Sequence, residues 1–163
     1  MATQATPGVA GSTARSQVIA AYTGYWQAYG IALRTRNIGT ARKLLARFAA
    51  QAFVSEVTAS LPRLWAGQVI GYGYAVPHVL SFTRTGASSA LLHDCLDLSH
   101  LGTQDVKTGQ VVPGSFGLPT VDFYVTLVRS GRSRSGQPGS GQPGSGQHWV
   151  VTKMQQVEVP CTP

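Results

Sequence analysis

The chain has 163 residues, a length that suits one domain and allows a core to be buried. Basic residues outnumber acidic ones by 13 to 6, although only 12% of the residues are charged. This balance permits an anionic partner, but the cations form no dense run, so nucleic-acid binding is not expected. No apolar stretch approaches the roughly 18 residues needed to span a bilayer.

Residues 1–15 are small and polar and include Gly and Pro, which predicts a disordered N-terminal arm. They show neither the basic nor the apolar region of a signal peptide, so export would require that a leader had already been removed. A single domain is expected from residue 16 to residue 163.

Apolar residues at helical spacing predict a long first helix from Ser16, as its N-cap, to about Thr35. It carries an aromatic stripe of Tyr22, Tyr25, Trp26 and Tyr29. Thr40 is expected to cap a second, shorter helix, and a third follows it. A helix restarts with Pro62 in its first turn and ends at Gly67.

Strand patterns then replace helical ones. The predicted strands are 69–74, 76–84, 89–99, 120–129 and 148–159. Because the strands are segregated from the helices, we predict an α+β fold with helices on one face of an antiparallel sheet. The last two strands should form a hairpin whose tip is a flexible insertion at 130–147, which contains the pentapeptide GQPGS twice. Residues 102–119 read as a loop with a short edge piece at 110–112.

The two cysteines, Cys95 and Cys161, are the only thiols. A disulfide between them would join the end of the chain to the middle of the sheet and contribute about 4 kcal/mol by restricting the unfolded chain. It would also imply an oxidising compartment. Two unrelated reduced cysteines are the alternative.

Four features together suggest a family. They are the helix Tyr22–Tyr29, the strand Leu92–Asp97, the hairpin leading into His148–Val151, and the terminal Cys161. From about Ser16 to Pro160 the chain resembles the NTF2-like superfamily, of the SnoaL and ketosteroid-isomerase kind. The resemblance implies a cone in which N-terminal helices pack on a strongly curved antiparallel sheet. More narrowly, the chain is similar to secreted or lipid-anchored actinobacterial NTF2-like proteins of undefined activity, in which two cysteines at such positions occur together. It therefore favours the disulfide and an extracytoplasmic location.

Enzymes of this superfamily place a carboxylate and a tyrosine in the cone pocket, and they abstract a proton next to a carbonyl without a cofactor. Alternation along the third strand puts Asp94 on the same face as leucines, where burial would raise its pKa. Asp94 is therefore the first catalytic candidate, with His78 as an alternative base and Tyr25 as a hydrogen-bond donor. The residues expected to line the pocket are Tyr22, Trp26, Tyr29, Asp122 and Tyr124.

Structural roles compete with these assignments. Asp94 could simply hydrogen-bond nearby groups, and the aromatic stripe could fill the core. Asp97 and His93 are expected to form a solvated pair on the opposite face of the strand. The four histidines show no paired spacing, so no metal site is expected.

Three functions remain open from the sequence. The first is a non-catalytic binding or interaction module outside the cytoplasm, with a small apolar ligand or a protein partner. A homodimer formed through the sheet is compatible with it. The second is a cofactor-free isomerase or cyclase. The third is an anion-binding protein that uses the arginines between residues 34 and 47.

Overall fold

The computed structural model describes residues 8–131, 148–157 and 161–163, with side chains from residue 14 onward. The described part of the chain forms four helices followed by six strands. The helices are α1 (Gly8–Ala32), α2 (Ile38–Leu45), α3 (Gln51–Thr58) and α4 (Leu61–Ala66). The strands are β1 (Val69–Gly73), β2 (Val79–Arg84), β3 (Ser89–Leu96), β4 (Leu101–Asp105), β5 (Val121–Ser130) and β6 (His148–Val157). The α+β class predicted from the sequence is confirmed.

The long helix α1 begins at Gly8, earlier than predicted. Residues 8–15 therefore continue the helix instead of belonging to a disordered arm, and Ser16 lies inside the helix and is not its N-cap. The rest of the predicted arm, residues 1–7, lies outside the described residues. None of the described helices is both long enough and apolar enough to cross a membrane.

The aromatic stripe of α1 forms much of the core. Tyr22, Tyr25 and Trp26 are buried there, and Tyr29 packs against the same cluster. The Trp26 ring packs edge to face against the rings of Tyr22 and Tyr25, at centroid distances of 6.4 Å and 5.3 Å. Such ring geometries add to the stabilisation that burial alone provides.

The short helices show which local signals were correct. Asn37, and not Thr40, caps α2, because its side-chain oxygen accepts a 2.8 Å hydrogen bond from the Thr40 backbone N–H. Asn is preferred over Thr as an N-cap residue, and Thr40 lies three residues further on, where its own backbone N–H is the donor that the cap satisfies. Pro62 in the first turn of α4 and Gly67 at its end are confirmed.

The strands form two antiparallel sheets, whereas one five-stranded sheet was expected. The larger sheet has the order β2-β3-β5-β6, and the smaller one pairs β1 with β4. The unexpected strand is β4, which lies at the start of a segment interpreted as a loop. The predicted edge piece at 110–112 is present as an isolated bridge between Val111 and Gln104.

The predicted hairpin of the last two strands is confirmed. Strands β5 and β6 pair from Asp122 with Val157 to Ser130 with His148, with one irregularity near Thr126. Most of the insertion expected at its tip, residues 132–147, lies outside the described residues.

The Cys95–Cys161 disulfide is present, with the two Cα atoms 5.6 Å apart, and there is no free cysteine. Cys95 lies on β3, in the middle of the larger sheet. The bond therefore ties the C-terminal end of the chain to that sheet, and the disulfide that the resemblance favoured is confirmed.

Candidate functional site

Asp94 lies on the inner face of the larger sheet. It occupies β3 between Leu92 and Leu96, which are buried on the same face, and it is opposite Val79 on β2 and Phe123 on β5. Its side chain is 0% exposed. The alternation predicted for this strand is therefore correct, and it places a carboxylate in an apolar layer.

The Tyr22 hydroxyl is the hydrogen-bond partner of this carboxylate. It donates to Asp94 Oδ2 over 2.7 Å, in a contact that is fully buried. The other oxygen of this carboxylate, Asp94 Oδ1, has no hydrogen-bond partner among the described residues, and the same holds for the indole nitrogen Trp26 Nε1. Buried polar atoms are rarely left in this way, so the surroundings of Asp94 are unusual for a core position.

Burial raises the pKa of Asp94 to about 6. The hydrogen bond from Tyr22, and then the backbone and ring of His78, act in the opposite direction and limit the rise. The pKa of Tyr22 is raised as well, first by burial and then by the negative charge of Asp94. Each group therefore keeps its proton to a higher pH than an exposed counterpart would.

The other two catalytic candidates lie differently. Tyr25 points into the core against Phe53 and Tyr29, and burial raises its pKa. His78 is half-buried just before β2, and its carbonyl accepts a hydrogen bond from the Cys95 backbone N–H. Asp94 therefore receives its hydrogen bond from Tyr22, a residue assigned to the pocket lining, and not from Tyr25.

Asp122 and Tyr124 face away from Asp94. They are cross-strand neighbours of Cys95 and His93, on the outer face of the larger sheet. There, His93 Nε2 lies 2.5 Å from Asp122 Oδ1, and the His93 ring stacks on Tyr124 with a centroid distance of 4.6 Å. The expected pair of His93 with Asp97 is therefore wrong, because Asp97 lies instead near His100, at 3.7 Å.

Two cavities open on other parts of the surface. The first, of about 630 Å³, lies along α1 and is lined by residues that include Ile19, Gly24 and Phe48. The second, of about 510 Å³, lies between α4, the end of α1 and the smaller sheet. We call the second one the α4 groove, and it is lined by Tyr29, Leu33, Ser60, Leu61, Arg63, Leu64, Gly71, Leu101, Gly102, Thr103 and Ser115. Of the residues expected to line a pocket, Tyr29 alone appears in either of these two cavities, and Tyr22 and Trp26 belong to the core.

An exposed apolar patch adjoins the α4 groove. Among the described residues, seven large hydrophobic side chains are exposed, and four of them come from two neighbouring segments. These four, which we call the apolar patch, are Tyr72, Tyr74, Phe116 and Leu118. The rings of Tyr72 and Phe116 meet edge to face at 6.3 Å, and Phe116 also covers Gly102 in the groove lining. Clustered exposed apolar side chains are typical of binding surfaces.

The Arg34 guanidinium is held against the backbone segment that carries two residues of this patch. Arg34 Nε donates a 2.9 Å hydrogen bond to the Gly30 carbonyl, and its Nη2 donates one of 3.2 Å to the Gly73 carbonyl, between Tyr72 and Tyr74. Arg34 remains exposed. No local pattern in the sequence predicts this arrangement, because it depends on where the end of α1 meets β1.

Within the described residues, no three His, Cys, Asp or Glu side chains come together as a metal site would require. Comparison with known proteins finds no match: no family model fits the chain, and no curated protein and no solved structure matches it.

Proposed function

We propose that this protein is a non-catalytic NTF2-like binding module that works outside the cytoplasm, and that its α4 groove holds an apolar part of its ligand. The observation that carries this proposal is a contrast in accessibility. The carboxylate that an enzyme of this kind would use is closed inside the core, whereas the α4 groove is open at the surface.

The interior leaves little access for a substrate at Asp94. Its side chain has no exposed area, and the Tyr22 hydroxyl already occupies Oδ2. The aromatic stripe of α1 packs over the same region and takes the space that a ligand would need. A general base must come within hydrogen-bond reach of the proton that it removes, so this packing favours binding over catalysis.

The α4 groove has the composition of a ligand site. Leucine side chains form most of its apolar lining, and a few polar groups, among them Arg63 and Thr103, could fix the orientation of a ligand. The adjoining apolar patch enlarges the surface that a ligand would cover.

The disulfide supports a location outside the cytoplasm. Bonds of this kind persist in oxidising compartments, and glutathione and thioredoxin remove them in most cytosolic proteins. Titration of the native, unreduced protein should find no free thiol, and two free thiols would contradict this location.

Binding of Nile red, a neutral apolar fluorophore, tests the groove. Leu64→Asn puts a polar amide into the groove lining and should weaken binding about tenfold, because apolar contact area is lost. Ile19→Asn is the matched control, since Ile19 is equally half-buried against the core but lines the cavity along α1. Circular dichroism verifies that both variants fold. Loss of binding in Ile19→Asn with full binding in Leu64→Asn would assign the site to the other cavity.

The contact between Tyr22 and Asp94 favours a second candidate, a cofactor-free isomerase or cyclase. A pKa of about 6 suits a general base near neutral pH, and a tyrosine hydroxyl is a suitable donor to an enolate. Conversion of a β,γ-unsaturated ketone to its conjugated isomer, followed by ultraviolet absorbance, tests this candidate. Turnover that disappears in Asp94→Asn would replace the binding function with catalysis.

A further inference from the structure

We propose that the partner of the α4 groove and the apolar patch is an acidic peptide segment with apolar side chains. This inference rests on the proposed binding function. Its apolar side chains would pack on the patch and in the groove, and its carboxylates would meet Arg34 and Arg63.

The apolar half of this recognition comes from rings that the fold leaves exposed. Tyr72 is 41% exposed and Phe116 is 44% exposed, although each ring packs against the other. Aromatic side chains in such pairs lose little conformational freedom when a partner covers them, so they are efficient contact surfaces.

The charged half comes from a cation that is held in place before any partner arrives. The two hydrogen bonds of Arg34, to the carbonyls of Gly30 and Gly73, hold its guanidinium against the backbone between Tyr72 and Tyr74. The side chain is still exposed, so the remaining N–H groups of the guanidinium can donate hydrogen bonds to a carboxylate. A preorganised arginine loses less entropy when it forms such a pair.

The local charge favours an anionic partner. Arg63 lines the groove, and none of the described residues that line it is acidic. The carboxylate of Asp97 lies near His100, whose ring stacks on Tyr74 of the patch, and it offsets one of the two arginine charges, so a net positive charge remains. An acidic segment therefore meets positive charge along this surface, which selects it over neutral or basic segments.

Isothermal titration calorimetry of the full chain with three synthetic decapeptides tests the proposal, at about 150 mM salt so that weak surface attraction is screened. The first peptide alternates Asp and Phe, the second alternates Asn and Phe, and the third alternates Asp and Ser. We expect the Asp/Phe peptide to bind at least about tenfold more tightly than either of the others, since it alone satisfies both halves of the surface.

Variants assign this binding to the surface. Arg34→Gln and Phe116→Ser should each weaken binding of the Asp/Phe peptide about tenfold. Arg84→Gln is the charge-matched control, because the Arg84 guanidinium bonds the carbonyls of Gly86 and Ala87 in the turn after β2. It should change binding less than about twofold. If Arg34→Gln and Arg84→Gln lose the same affinity for the Asp/Phe peptide, the binding depends only on the net charge of the protein, and the proposal is overturned.

Further outcomes separate this inference from the function on which it rests. Nile red binding that depends on Leu64, together with equal affinity for the Asp/Phe and Asn/Phe peptides, would reject the acidic partner and keep the groove. Failure of Nile red and of every peptide would reject both. Tighter binding to phosphatidylglycerol vesicles than to the Asp/Phe peptide, with the same dependence on Arg34, would assign the surface to lipid and overturn the peptide.

Discussion

The hydroxyl of Tyr22 on α1 and the carboxylate of Asp94 on β3 are joined by a 2.7 Å hydrogen bond, across 72 residues of sequence. This contact connects the first helix to the centre of the larger sheet, in surroundings that are otherwise apolar. Because both side chains are buried, the charge of Asp94 affects the stability of the whole domain.

The stability of the protein should therefore depend on pH through Asp94. Its pKa is about 6 in the folded protein and 3.8 in an exposed aspartate, so the folded state holds the proton more tightly. The stabilising contribution is complete below about pH 4 and is lost as the pH rises through 6, with a total change of about 3 kcal/mol. Urea unfolding between pH 4 and pH 8 should show this loss in the wild type and not in Asp94→Asn.

Asp97→Asn is the control for this experiment. Hydrogen bonds from Ser99 lower the pKa of Asp97, so its contribution should grow as the pH rises and have the opposite sign. If the difference between the wild type and Asp94→Asn is the same at every pH, Asp94 does not titrate in this range.

Tyr22→Phe should destabilise the protein by about 1–3 kcal/mol, because Asp94 then loses its hydrogen-bond donor in the core. The loss should be larger at pH 8 than at pH 5, because the hydrogen bond from Tyr22 stabilises the ionised carboxylate more than the protonated acid. Chemical unfolding at both pH values measures the difference. Tyr25→Phe is the control from the same stripe, and its cost should not depend on pH in this way. Equal pH dependence in the two variants would show that the Tyr22 hydroxyl does not act through Asp94.

Reduction of the Cys95–Cys161 disulfide should lower the free energy of unfolding by about 4 kcal/mol, because it frees a loop with a sequence separation of 66 residues. Urea unfolding with and without dithiothreitol measures this change. The double variant Cys95→Ser, Cys161→Ser should match the reduced wild type and should not respond to dithiothreitol. A wild type that unfolds at the same urea concentration under both conditions would contradict the expected contribution.

Much of this fold could be predicted from the sequence because the signals are local. Alternation on β3 placed Asp94 on the buried face, and the pattern of β5 and β6 predicted their hairpin. The division into two sheets could not be predicted in this way. Strand β4 is short and contains Gly102, so its pattern is weak, and its pairing with β1 depends on contacts that are distant in sequence.

The site was predicted less completely. Asp122 and Tyr124 were placed in the pocket, but the register of β5 against β3 puts them on the outer face, and a shift of one residue would exchange the two faces. The α4 groove and the position of Arg34 both depend on how α1 meets the smaller sheet. The contact between α1 and the smaller sheet joins residues that are far apart in the chain, so no local pattern in the sequence predicts it.

Gly73→Ala should be severely destabilising, by more than about 3 kcal/mol. Gly73 has a φ of 80°, and a Cβ at this position would overlap the carbonyl oxygen of His100. Gly114→Ala is a matched control, because Gly114 has a similar φ of 71° but open space around it. It should cost only about 1 kcal/mol, from the backbone conformation alone. Thermal unfolding of both variants separates the two effects, and equal losses would exclude the contact with His100.

Asn37→Ala should destabilise the protein by about 1 kcal/mol, because the first turn of α2 loses the acceptor for the Thr40 backbone N–H. Thr40→Ala tests the assignment of the cap, since it keeps the backbone N–H and the Asn37 acceptor and should change stability by less than about 0.5 kcal/mol. Asn37→Asp should preserve the cap, because aspartate accepts the same hydrogen bond and its charge is favourable at the start of a helix. Urea unfolding of the three variants at pH 7 ranks them, and a greater loss in Thr40→Ala than in Asn37→Ala would return the capping role to Thr40.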